Sequence, residues 1–146
     1  MRDLPRQLSA DELAELFEGR TRFVERLARE QEPLLRAETL VHELPYEEKV
    51  EVLGAHPAIG RRTGLSARSA AEQGQDDDPA VLEELAVLNA EYESRHGFRF
   101  VVFVNRRPKA EILKVLRTRI ASPTDQELET ALTELVAIAQ DRWRRG

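Results

Sequence analysis

Cysteine is absent from the 146-residue chain, which removes disulfides and thiolate chemistry together and fits a reducing cytoplasm. No apolar run approaches the roughly 20 residues that a membrane span requires. The first residues, MRDLPRQLSADELAELF, lack the apolar stretch of a signal peptide. Basic excess is missing as well: the formal net charge is −5, which argues against broad nucleic-acid binding, and the basic end RWRRG is too short to reverse it. Neither an internal repeat nor a low-complexity linker interrupts the sequence. Three further chemistries lack their signatures. GAHPAIG has neither the lysine nor the spacing of a phosphate-binding loop, and no strand precedes it. His42, His56 and His96 show no metal-ligand spacing. No G-x-S-x-G elbow occurs.

What remains is a polar, foldable chain with 41% hydrophobic and 34% charged residues, a length that suits one domain over residues 1–146. Ser9-Ala-Asp-Glu12 has capping-box spacing and opens a helix carrying Leu13, Leu16 and Phe17. Phe23, Leu27, Leu34 and Leu35 continue at helical spacing, with Pro33 expected to break the stretch. A further helix is expected from Pro45 to Gly54. Asp78-Pro79 should start another, with Val81, Leu85, Leu88 and Tyr92 on one stripe and a glycine cap at Gly97. Pro108 to Arg119 reads as helix, and Ser122-Pro123 should cap a last one running to about Trp143. FRFVVFV, residues 98–104, has strand propensity but no partner strand, so it is expected to thread a helical core as an extended run. The fold class is all-α, with about six to eight helices and one extended buried segment.

Three polar sites stand out. His56 precedes Pro57, which pushes its backbone out of the helical region just past a helix end. The negative end of that helix should favour the imidazolium, which suits a proton donor; a plain capping histidine is the other reading. Ser69 and Glu72 stand on neighbouring positions of one turn with Gln73 beside them. They serve either as a hydroxyl and a carboxylate for one ligand or as a capping box. Arg142 lies within about 20° of Leu135 on the helical wheel, on the apolar stripe of the last helix. A buried arginine requires an anion, either a structural acid or a ligand carboxylate.

Taken together, HPAIG, SAAEQ, LNAEYESRHGFRFVVFV and AIAQDRW follow the order and rough spacing of one family. The chain resembles the 2-oxo-4-hydroxy-4-carboxy-5-ureidoimidazoline (OHCU) decarboxylases over about residues 8–144. The resemblance implies an all-helical homodimer that converts OHCU to (S)-allantoin in urate catabolism, without metal or organic cofactor. Its partner is a small-molecule substrate rather than nucleic acid or membrane, and its setting is cytoplasmic. By motif, His56 is implied as the catalytic acid and Glu72 as its partner. Ser69 and Gln73 are implied to hydrogen-bond the ligand, Pro57 to shape the pocket, and Phe100, Val101, Val102, Phe103 and Val104 to line it. Arg142 matches the arginine that binds substrate from the last helix. The chain departs from the family pattern after Gln73, where GQDDD replaces Ala-Gly-Leu, and at Trp143, where a smaller apolar residue is common. Two other readings stand beside this one: a decarboxylase of a related ureido acid, and a catalytically silent helical module that binds a metabolite or a partner protein.

Overall fold

The Ser9 capping box forms as its spacing predicts. The Ser9 hydroxyl accepts from the Glu12 amide at 3.1 Å, and the Glu12 carboxylate accepts from the Ser9 amide at 3.0 Å. It opens α1 (Ala10–Phe17), the first of seven helices among the described residues, which are 3–60 and 78–146 of this computed structural model. Thr21 caps α2 (Arg22–Leu27), and α3 (Pro33–His42) and α4 (Tyr46–Gly54) follow. Asp78 caps α5 (Pro79–His96), which stops where Gly97 takes φ 83°. The last two helices are α6 (Lys109–Ala121) and α7 (Thr124–Arg145). No strand occurs among the described residues, and none of their helices is long and apolar enough to cross a membrane.

Two local expectations change. Pro33 begins α3 rather than only breaking what precedes it, because its missing N–H is an orphan in the first turn anyway. Leu34 is then fully buried while Leu35 is 62% exposed: neighbouring residues lie about 100° apart on a helix, so one stripe cannot hold both. Ser122 does not cap α7. Its hydroxyl donates back to the Thr118 carbonyl at 3.2 Å, and Pro123 holds the N-cap position without a side-chain bond.

Helix α7 is the axis of the packing, in contact with α1, α3, α4 and α5, while α5 lies along α6. Its apolar stripe, Leu128, Leu132, Leu135 and Ala139, continues into Arg142, which is buried as the wheel predicts. The run at residues 98–104 is extended and has no strand beside it. A lone buried strand must find other partners for its backbone, and side chains supply them. Arg119 donates to the Val101 carbonyl at 2.9 Å, and Glu134 accepts from the Phe103 amide at 3.3 Å. Arg107 donates to the Phe103 and Val104 carbonyls at 2.7 and 3.0 Å. The same arginine closes the turn that follows, where Asn105 and Arg106 both adopt positive φ, 48° and 66°. Consecutive non-glycine residues in that region are strained and persist only when their surroundings hold them.

Candidate active site

The end of α4 delivers His56 into a cavity of about 160 Å³, walled by the loop from His56 to Ile59, the extended run and the C-terminal end of α7. The His56 amide donates to the Leu53 carbonyl at 3.2 Å, so the residue sits one turn-closing bond past the helix, as the His-Pro pair predicts. Its carbonyl accepts from Arg99, whose other arm donates to Glu93 at 2.8 Å. The loop is pinned a second time at Ile59, whose carbonyl accepts from the buried Asn89 amide at 3.1 Å. Pro57 and the segment from Phe100 to Val104 border the same cavity. Ser69, Glu72 and Gln73 lie outside the described residues.

The imidazole is 5% exposed, and its Nε2 has no hydrogen-bond partner among the described residues. Burial, then the cationic Arg142, with a smaller contribution from Arg99, push its pKa from 6.5 down to about 3; among the described residues Glu18 pulls the other way. The expectation that the helix end keeps His56 protonated is therefore corrected. A helix terminus contributes about 0.3–1 kcal/mol, whereas full burial moves a pKa by up to about 3–5 units. His56 is neutral at physiological pH, with a ring nitrogen that can accept a proton.

Arg142 is 3% exposed and borders the cavity. Its Nη1 lies 3.0 Å from the Glu18 carboxylate and donates to the Leu16 carbonyl at 3.0 Å. The structural acid left open by the sequence is thus present. Glu18 ends α1 with φ 69°, a left-handed cap that turns the chain there. The structural-acid reading therefore holds for one nitrogen, anchored at the end of α1, while the residue also forms part of the cavity wall. Arg106 and Arg145 add positive charge to the lining, although the chain as a whole carries −5. Among the described residues the lining carries these cations and no carboxylate, although Arg145 also pairs with Asp141 at 2.7 Å outside it.

Several supporting residues escape a motif reading. Asn89 is one whose signal was available: Leu85, Asn89 and Tyr92 share a buried stripe at i, i+4 and i+7, so a polar side chain there had to have an internal task. The same holds for Arg119, on the stripe of Ile112 and Leu116. Glu18, Arg99 and Arg145 carry no such pattern.

The sequence profile described as OHCU decarboxylase matches residues 2–144. The chain is similar to the 2-oxo-4-hydroxy-4-carboxy-5-ureidoimidazoline decarboxylase of Halalkalicoccus jeotgali, with 33% identity over 103 residues, 68% of this chain and 58% of that protein. It is 29% identical to the protein of the same description from Haloferax volcanii over 143 residues, 90% of this chain and 84% of that one. With the uric acid degradation bifunctional protein PucL of Bacillus subtilis it shares 30% identity over 100 residues, 66% of this chain but 20% of that protein. The match thus spans little more than half of the first of these relatives and a fifth of the bifunctional one. A crystal structure of OHCU decarboxylase in the presence of (S)-allantoin superposes with a TM-score of 0.75 at 23% identity, covering 90% of this chain and 94% of the other. A crystal structure of (S)-allantoin synthase gives 0.65 at 24% identity, over 91% of this chain and 47% of that one. At these identities the likeness establishes the fold.

Proposed function

The chain belongs to the OHCU decarboxylase family, and from that premise we propose that it releases CO₂ from 2-oxo-4-hydroxy-4-carboxy-5-ureidoimidazoline to form (S)-allantoin. The observation that carries the reading is the neutral imidazole of His56, whose Nε2 has no partner among the described residues, in a cavity that also presents the Arg142 cation. The substrate bears its hydroxyl and carboxylate on one ring carbon, next to a C=N bond. When the bond to the carboxylate breaks, its electron pair forms a C=C bond and the C=N electrons move to nitrogen. The substrate is its own electron sink, so no cofactor is needed to accept the pair. The nitrogen takes up one proton, and CO₂ leaves. The enol then loses its hydroxyl proton and gains one at the neighbouring carbon, which becomes the stereocentre of allantoin. The net change is one substrate anion and one proton giving CO₂ and neutral allantoin.

Each residue has a place in that scheme. Arg142 receives the carboxylate with the directed donors of a guanidinium. Neutral His56 takes the hydroxyl proton and returns it to one face of the adjacent carbon, acting as base and then as acid. Glu72, carried over by motif, orients or recharges the imidazole, while Ser69 and Gln73 hold the ureido and ring polar groups. The extended run supplies backbone groups, and Pro57 bounds the ring. The family resemblance further supports a cytoplasmic homodimer that works without metal or organic cofactor; sedimentation equilibrium at micromolar concentration tests the dimer.

The direct test supplies substrate made in situ by urate oxidase and hydroxyisourate hydrolase and follows circular dichroism. Optically active allantoin appearing faster than the spontaneous reaction is expected. Racemic product at the spontaneous rate would overturn the proposal and leave the silent binding module. Turnover of a different ureido acid in preference to OHCU would move the assignment to a related substrate, a possibility the GQDDD segment raises.

A second expected outcome separates the two readings of Glu72. Glu72→Gln should cost turnover about 10²-fold with little change in melting temperature. A capping role gives the reverse, a stability loss of about 1 kcal/mol at normal rates. Melting curves and kinetics on one preparation decide.

A further inference from the structure

Behind the extended run lies a second polar constellation, whose side chains Arg119, Glu127, Tyr92, His96 and Thr124 do not border the cavity. Arg119 from α6 and Glu127 from α7 form a buried ion pair at 2.8 Å. The Tyr92 hydroxyl from α5 donates to the same carboxylate oxygen at 2.7 Å, and burial together with that carboxylate raises the phenol's pKa, so the hydrogen stays in place. The Arg119 guanidinium lies 4.8 Å from the Phe100 ring centroid and donates to the Val101 carbonyl at 2.9 Å. Its own carbonyl accepts from His96 Nε2 at 3.0 Å, which leaves His96 Nδ1 to accept from the Thr124 hydroxyl at 2.7 Å. Three helices thus converge to fix one guanidinium against one backbone carbonyl. A buried ion pair contributes little net stability compared with an apolar replacement, whereas a planar guanidinium fork holds geometry well.

The geometry points to Arg119 as a positioning residue: clamped by Glu127 and Tyr92, it holds the Val101 carbonyl on the α6 side and thereby turns the Val102 amide toward the cavity. In a trans peptide unit the C=O and N–H point in opposite directions, and no cis bond occurs among the described residues. In an extended run, backbone groups alternate between the two edges. The Val101 carbonyl and the Phe103 amide share the edge that meets Arg119 and Glu134. The Val102 amide and carbonyl occupy the other edge; Val102 borders the cavity, and no hydrogen bond among the described residues reaches these two groups. Arg119 therefore sets the orientation of a donor and an acceptor available to the substrate without touching it.

The role in turnover rests on the decarboxylase reading, so the test has one arm that does not. Two variants are used. Arg119→Lys keeps the charge opposite Glu127 but loses the fork. The double variant Arg119→Met with Glu127→Leu removes both buried charges, so neither is left unpaired. Below their melting temperatures, both should lose at least about 10-fold in kcat/KM, the scale of a misplaced reacting geometry. In hydrogen exchange followed by NMR, the Phe103 amide should exchange at least about 10-fold faster relative to Leu135 in the core of α7, which reports global opening. Folded variants that keep half of the wild-type kcat/KM, with Phe103 and Leu135 accelerated equally, would overturn the inference and leave Arg119 a structural residue. If the wild type itself turns over no OHCU, the decarboxylase reading falls, and the exchange ratio alone decides whether Arg119 positions the run.

Discussion

Replacing His56 by alanine should lower the proposed decarboxylation by about 10²- to 10⁴-fold, the contribution expected of a lost proton-transfer group, with the protein still cooperatively folded at the assay temperature. The ring borders a cavity and its Nε2 bonds to no described group, so its removal breaks no hydrogen bond to a described residue at that atom. A variant retaining half of wild-type turnover would remove His56 from the chemistry. Its pH behaviour is a sharper check, because burial beside Arg142 brings the pKa to about 3. In the free enzyme the imidazole is then already neutral from about pH 5 upward, so kcat/KM should show no acid limb near the ordinary imidazole value of about 6.5. A limb near that value, lost on replacing His56, would show that the site is wetter than the fold implies. Stability gives the matching sign. The unfolded chain takes a proton on His56 near pH 6.5, while the folded one resists until about 3. The unfolded state therefore binds more protons in that window, and stability falls as pH falls through it, by up to about 1.4 kcal/mol per pH unit from this group. His56→Gln should flatten that part of the melting profile relative to wild type, leaving the losses due to carboxylates unchanged.

That depressed pKa shows where reading the sequence reaches its limit. The His-Pro pair places His56 just beyond a helix end, and the structure has it there. Its charge, however, depends first on burial by the assembled fold and then on groups brought from elsewhere: Arg142 from the far end of the chain, Glu18 from the end of α1 and Arg99 from the extended run. Helix boundaries marked by local chemistry were legible, as at the Ser9 box, the Asp78 cap and Gly97. So was the isolation of residues 98–104, since strand propensity without a second strand leaves only an unpaired run. What pairs that run was not legible, because side chains of Arg119, Glu134 and Arg107 take the place of a neighbouring strand. Pro33 was ambiguous for a simple reason: proline both ends helices and begins them, and the choice depends on whether the residues after it have a core to face. The helical wheel placed Arg142 correctly but could not name its acid, since Glu18 meets it only through the packing of α1 on α7.

Arg142→Ala should combine the two costs that the sequence set against each other. The Glu18 carboxylate, whose side chain is 10% exposed, would lose its guanidinium. Removing one partner of a buried pair typically costs about 3–5 kcal/mol, and a melting temperature lower by several degrees is expected. The same variant should lose affinity for carboxylate-bearing substrate analogues, because the cavity loses its most buried cation. Arg142→Lys separates the effects. A lysine ammonium can still approach Glu18, so stability should recover in large part, but a point charge cannot anchor α1 and present a directed pair of donors to the cavity together. Calorimetric binding of a carboxylate analogue to the lysine variant should therefore remain at least about 10-fold weaker than to wild type, on the order of 1.4 kcal/mol. Binding of allantoin, which lacks the carboxylate, should change far less. Glu18→Gln supplies the converse: it removes the anchoring charge, lowers stability and leaves the cation, so the analogue should bind at least as well as before. If wild type, Arg142→Lys and Glu18→Gln all bind the analogue and allantoin with the same ratio of affinities, Arg142 is a structural pair and the anion must be held by Arg106 or Arg145 at the other parts of the cavity wall.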